Sequence, residues 1–139
     1  MFKKILFAYD GSEHSQRAAE ISGDFARMQD KAEIWLICVM GSIPKHLRQP
    51  YIQEFRDAQK QAGKEFFKEA RNLIGKDITI HDELLFGPPA ENILNVAEQN
   101  KCDLIIMGAR GLSVLQGLLL GSQVHRVIGH SKCPVLVVK

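Results

Sequence analysis

Five short apolar runs punctuate the chain, and between them lie stretches whose apolar residues recur at every third or fourth position. The runs are Lys3–Tyr9, Ala32–Met40, Ile78–Phe86, Leu104–Met107 and Pro134–Val138. The first two and the fourth carry consecutive apolar residues, as a strand covered on both faces does. The third is mixed, with Ile78 and Ile80 alternating before Leu84–Phe86. Strands separated by helical patterns confine the fold to an α/β sheet of mostly parallel strands with helices on both faces.

The intervening stretches predict four helices. Asp10-Gly11-Ser12 ends the first strand, and Ser12 or Asp10 can cap a helix to about Met28 with Ala18, Ile21, Ser22, Phe25 and Ala26 inward. Gly41–Pro50, with two prolines, reads as a loop. From Tyr51 to Ile74 the apolar positions Tyr51, Phe55, Ala58, Ala62, Phe66, Ala70 and Leu73 trace one face of a long helix that Gly75 closes. Gly87-Pro88-Pro89 opens a third helix, since proline is tolerated in a first turn; Ala90, Ile93, Leu94 and Ala97 are its buried stripe. A fourth runs from Ser122 with Val124, Val127 and Ile128 inward.

Length and charge narrow the function. The 139 residues suit one domain, 1–139, with a single core. The net charge of +2 comes from scattered residues and forms no basic stripe, which argues against nucleic acid as a partner. No apolar run approaches the roughly 20 residues that cross a bilayer, so no membrane role is expected. Lys3 and Lys4 precede an apolar run too short for a secretory signal, and the expected location is cytoplasmic. Cys38, Cys102 and Cys133 lack C-x-x-C spacing, and the five histidines lack H-E-x-x-H, so no zinc site is indicated. Ser15 and Ser22 have no base nearby in sequence to make either a nucleophile.

One stretch does carry chemistry: Gly108–Ser122, read GARGLSVLQGLLLGS. The fourth strand stops at Gly108, where a glycine lets the backbone approach a ligand without a Cβ in the way. Gly121-Ser122 stands at the head of a helix, whose free N–H groups suit a phosphate. Gln123 adds another N–H in that first turn. Arg110 can pair with phosphate or face water. Leu112–Leu120 is more apolar than a solvated loop requires and reads as a lid or as a surface against another subunit.

The spacing Gly108-x2-Gly111-x9-Gly121-Ser122 resembles the nucleotide-binding signature of the universal stress protein family, ATP-binding type. Lys4–Ser12, Met107 and the closing Cys133–Val138 are similar to that family too, so the resemblance spans the chain. It implies a Rossmann-like, adenine nucleotide alpha hydrolase-like sheet in the order 3-2-1-4-5. Strands one and four then adjoin at the reversal, where such sheets bind ligands. It also implies an ATP-binding stress-response protein, with the nucleotide at the carboxyl ends of strands 1, 2 and 4. Ala8 and Tyr9 would offer backbone and a wall to the adenine, Val39 a backbone hydrogen bond, and Met107 an apolar surface. Asp10 would meet the ribose or a phosphate-bound Mg²⁺, whereas without the resemblance it reads as a helix cap. Gly108, Arg110, Gly111, Gly121, Ser122 and Gln123 would hold the phosphates. A homodimer through Pro134–Val138 would remove an edge strand that otherwise invites aggregation. Turnover is not expected to exceed slow hydrolysis, because no G-x-x-x-x-G-K-[ST] lysine spans the phosphates. The alternative is a dimeric scaffold of the same fold that needs no nucleotide.

Overall fold

The computed structural model describes residues 1–111 and 119–139. Its elements are β1 (Lys4–Ala8), α1 (Glu13–Met28), β2 (Glu33–Met40), α2 (Tyr51–Ile74), β3 (Thr79–Phe86), α3 (Pro89–Gln99), β4 (Leu104–Gly108), α4 (Ser122–His130) and β5 (Val135–Val138). The strands form one parallel sheet in the order β3-β2-β1-β4-β5. This is the order that the family resemblance implies. Ala8 pairs with both Ile37 and Met107, which sets the carboxyl ends of β1, β2 and β4 side by side.

Alternation along β1 builds the core. Ile5, Phe7 and Tyr9 point to one face, where they meet Ala18, Ala19 and Ala26 of α1 and Ala70 and Ile74 of α2. Leu6 and Ala8 point to the other, toward Ile93 and Ala97 of α3 and Val124 and Val127 of α4. All of β1 from Ile5 to Phe7 is fully buried, because a central parallel strand has helices on both sides.

Three helices depart from the apolar stripe read in the sequence. On α1, Ile21 is 38% exposed, while the buried side is Ser15, Ala18, Ala19, Ser22, Gly23 and Ala26. Small residues line it because α1 and α2 lie so close that a Cβ on Gly23 would collide with the Ile74 carbonyl. The buried Ser22 hydroxyl is satisfied by donating to the Ala18 carbonyl at 2.7 Å. On α2, Tyr51, Ala58 and Ala62 are exposed, and its buried residues begin at Gly63. A 24-residue helix is about 36 Å long, whereas an eight-residue strand spans about 26 Å. The helix overruns the sheet, so its first turns have no strand beneath them. Ile128 of α4 is also turned outward, 45% exposed.

Candidate functional site

The site begins at the turn after β1. Gly11 takes φ +82°, and a Cβ there would stand 2.7 Å from the Phe66 ring, so the turn needs glycine for both conformation and space. Asp10 holds the turn: its Oδ1 accepts the Ser12 N–H at 2.9 Å and the Ser12 hydroxyl at 2.5 Å. Ser12 is the N-cap of α1, its Oγ accepting the Ser15 N–H at 3.3 Å. The two candidate caps therefore act in series, with Asp10 orienting Ser12 and Ser12 capping the helix.

The opposite wall is the end of β4. A Cβ on Gly108 would lie 2.8 Å from Ser15 N and 2.9 Å from the His14 carbonyl carbon, so the first turn of α1 rests on this glycine. A Cβ on Gly111 would meet Asp10 Oδ2 at 2.6 Å. Gly121 is different: the nearest atoms to such a Cβ are 3.7 Å away, ordinary contact. Its N–H donates to the Ala109 carbonyl at 2.8 Å, which closes the neck of the segment between them. The apolar stretch Leu112–Leu120 falls largely outside the described residues; within them Leu119 is exposed and Leu120 packs on the α3–α4 core.

Gly121 is also the N-cap of α4, and no side chain among the described residues caps that end. The Gln123 side chain turns away to α3, its Oε1 accepting the Ala90 N–H at 3.0 Å. Gln123 thus ties together two helix N-termini and leaves its own main chain at the start of α4.

Between these walls lies a cavity of about 380 Å³, within the range of small-molecule sites. Ala8, Tyr9, Asp10, Val39, Met107, Gly108, Arg110, Gly111, Gly121, Ser122 and Gln123 all line it. The sequence reading did not include Ile37, Ser15, Pro89, Ile93 and Val124, which line it too. Ile37 lies two residues before Val39 and so shares its face of the strand. Ile93 comes from the buried stripe of α3, and Pro89, half-buried, stands one helical turn before it. The walls from β2, α3 and β4 are apolar, suited to a flat ring, while the α4 end offers backbone N–H groups.

Charge is confined to a few groups. Asp10 and Arg110 are the acidic and basic residues of the described lining. The Tyr9 ring is buried on the α1–α2 side against Phe7 and Phe66. Its main chain is what it presents to the cavity. Its hydroxyl has no hydrogen-bond partner among the described residues, and burial, with the Glu69 carboxylate nearby, raises its pKa. Arg110 Nη2 lies 3.4 Å from His14 Nε2, and burial followed by the Arg110 and Arg17 charges lowers the His14 pKa. Ser15 Oγ donates to the Ser12 carbonyl at 2.9 Å, a capping contact with no base attached. Among the described residues no three His, Cys, Asp or Glu side chains are grouped to hold a metal. A divalent ion would have to come with its ligand, and Asp10 is the lining carboxylate that it could meet.

Comparison with known proteins places the chain. The family model described as "Universal stress protein family" matches residues 1–139. A universal stress protein of Thermus aquaticus, described as lying in the QAH/OAS sulfhydrylase 3′ region, is 39% identical over 140 residues, covering all of both chains. The solved structure of the universal stress protein UspA from Lactobacillus plantarum superposes with a TM-score of 0.88 at 24% identity, covering 99% of this chain and 98% of that one. A universal stress protein solved in complex with cAMP has a TM-score of 0.72 at 23% identity, covering 99% of this chain and 97% of its own.

Proposed function

Because the chain belongs to the universal stress protein family, we propose that it is an adenine-nucleotide-binding regulatory protein, acting in the cytoplasm as one domain over residues 1–139. The observation that carries this reading is the cavity itself. Turn, strand ends and helix N-terminus, from parts of the chain about a hundred residues apart, line one space. ATP fits it with the base between Ala8, Val39 and Met107 and the ribose at Asp10. The phosphates then lie along Gly108, Arg110 and Gly111 to the uncapped start of α4, at Gly121, Ser122 and Gln123. A universal stress protein of the same fold has been solved with cAMP, also an adenine nucleotide.

The lining favours holding over turnover. Catalysed phosphoryl transfer needs charge neutralisation along the phosphates and a group to orient water. The described lining offers Arg110 and Asp10, and Asp10 already accepts two hydrogen bonds from Ser12. Hydrolysis is therefore slow or absent, and Mg²⁺ enters with the phosphates. Bound nucleotide acts through a change in dimer packing, which a protein partner reads.

Mass spectrometry of what the purified protein releases on denaturation tests this, together with thermal melts in added ATP, AMP and no ligand. Stoichiometric adenine nucleotide, or a melt raised by ATP, supports the reading. A protein that is empty and does not respond to millimolar ATP is a nucleotide-independent dimeric scaffold instead.

A further inference from the structure

Arg110 is the one cationic side chain of the described cavity lining, and it is held. Its Nη2 lies 3.4 Å from Nε2 of His14, in the first turn of α1. Its carbonyl oxygen lies 3.3 Å from Ser12 Oγ. His14 is itself fixed, because Gly108 packs directly on its main chain and Cβ. A guanidinium has only donors. The imidazole must therefore accept through Nε2, which requires it to be neutral with its proton on Nδ1. That nitrogen is buried and has no partner among the described residues. A donor shut from water with nothing to donate to is uncommon in a folded protein.

We propose that in the empty cavity the neutral His14 is a positioning residue for Arg110, and that a polyphosphate draws Arg110 onto itself and leaves Nε2 free to take up a proton, so that the two form a phosphate-sensing end of the cavity. This inference rests on the nucleotide reading above. The groups facing His14 are Arg110 from the segment after β4, Arg17 and Glu13 from α1, and Asp10 from the turn before it. The two arginines and burial keep the imidazole neutral, against the weaker pull of the two carboxylates. A polyphosphate beside Arg110 brings two or more negative charges and cancels the repulsion. It thereby favours the charged imidazole. Linkage makes the effect reciprocal: what raises proton affinity on binding must raise phosphate affinity on protonation. Affinity for ATP therefore rises as pH falls through the His14 transition, about tenfold for each unit by which phosphate raises that pKa. Affinity for adenosine, which carries no phosphate, does not.

Titration calorimetry of the full chain with ATP and with adenosine, from about pH 5.5 to 8 to bracket the ordinary imidazole range, measures both effects. Buffers of different ionisation heat report the protons taken up. The terminal phosphate of ATP titrates as well, so His14→Asn is run beside the wild type and the difference is read. Wild type is expected to take up more protons with ATP than His14→Asn. The variant should lose several-fold in ATP affinity at low pH while binding adenosine as before. Arg110→Gln keeps the test open if His14→Asn folds poorly, since it too should lose the excess proton uptake. Equal uptake in all three proteins overturns the inference while ATP binding itself stands. So does a His14→Asn variant that loses ATP and adenosine alike. A wild type that binds neither ligand overturns the nucleotide reading and this inference with it.

Discussion

The α-carbon of Gly111 rests against the carboxylate of Asp10, so closely that a Cβ there would stand 2.6 Å from Oδ2. Asp10 cannot retreat without giving up Ser12, which it holds through both the N–H and the hydroxyl. Gly111→Ala should therefore destabilise by about 1–3 kcal/mol, as overpacking does. Asp10→Ala should lose about 1.5–3 kcal/mol for its charged hydrogen bonds. In the double variant the losses should fall well short of their sum, because removing the carboxylate makes room for the methyl. Urea unfolding measures all three, and strict additivity would show that the two residues do not bear on each other.

Gly108 and Gly121 separate folding from binding. Gly108→Val drives a side chain into the main chain of α1 and should cost more than about 3 kcal/mol, beyond the range of ordinary overpacking. Gly121 has extended backbone, φ −69°, and a Cβ there would make only ordinary contacts. Gly121→Val should melt within a few degrees of wild type and fail to bind ATP. Retained binding in that variant would move the phosphates elsewhere.

The thiols should react in order of burial. Cys38 and Cys102 are buried and Cys133 half-buried, and burial pushes the first two thiols up to about 12. Near pH 8 an alkylating reagent should modify Cys133 first and reach the others only on denaturation. Stability follows with a definite sign. From the ordinary value of 9.0 up to about 12 the unfolded thiols ionise and the folded ones do not. Stability is therefore intact below pH 9 and falls as pH rises above it. Cys38→Ala should flatten that fall in melts taken across the alkaline range.

Gln123→Ala should cost about 1 kcal/mol by exposing the Ala90 N–H at the start of α3. Gln123→Glu, which keeps the acceptor and adds charge at a helix N-terminus, should restore it. Denaturant midpoints read both, and an Ala variant as stable as wild type would make the contact incidental.

β5 pairs with β4 and stands at one edge of the sheet. If that edge is closed by a second copy, sedimentation at micromolar concentration should give twice the 15.6 kDa chain mass, and the outward amides of Val135–Val138 should exchange slowly. A monomer with fast-exchanging edge amides would remove the homodimer from the reading.

The sheet was legible because its strands, β3 apart, are apolar on both faces, and β1 to β4 end at or near a glycine. The boundaries of α2, from Tyr51 to Ile74, coincide with the sequence pattern. What the pattern misjudged was which helix side is buried. Periodicity marks Ile21 as inward, but the close approach of α1 to α2 selects Gly23 and Ala19, and smallness leaves no hydrophobic signal. The glycine spacing and Asp10 singled out residues that do line one cavity. Ser15 and Pro89 escaped notice because their place there depends on which elements adjoin, a fact of three dimensions. Nor could the sequence divide the labour of the glycines: Gly108 and Gly111 are explained by packing against α1 and Asp10, and Gly121 is not.

β1 and β4 are neighbours in the sheet although Ala8 and Met107 stand about a hundred positions apart. A chain synthesised only as far as Phe86 has the Asp10 turn but nothing opposite it, so its floor precedes its far wall in time. Contacts of such long separation form late and carry the larger closure entropy. A ligand held there stitches the first strand to the fourth, and so reports that the sheet has been built as far as that fourth strand and the start of α4.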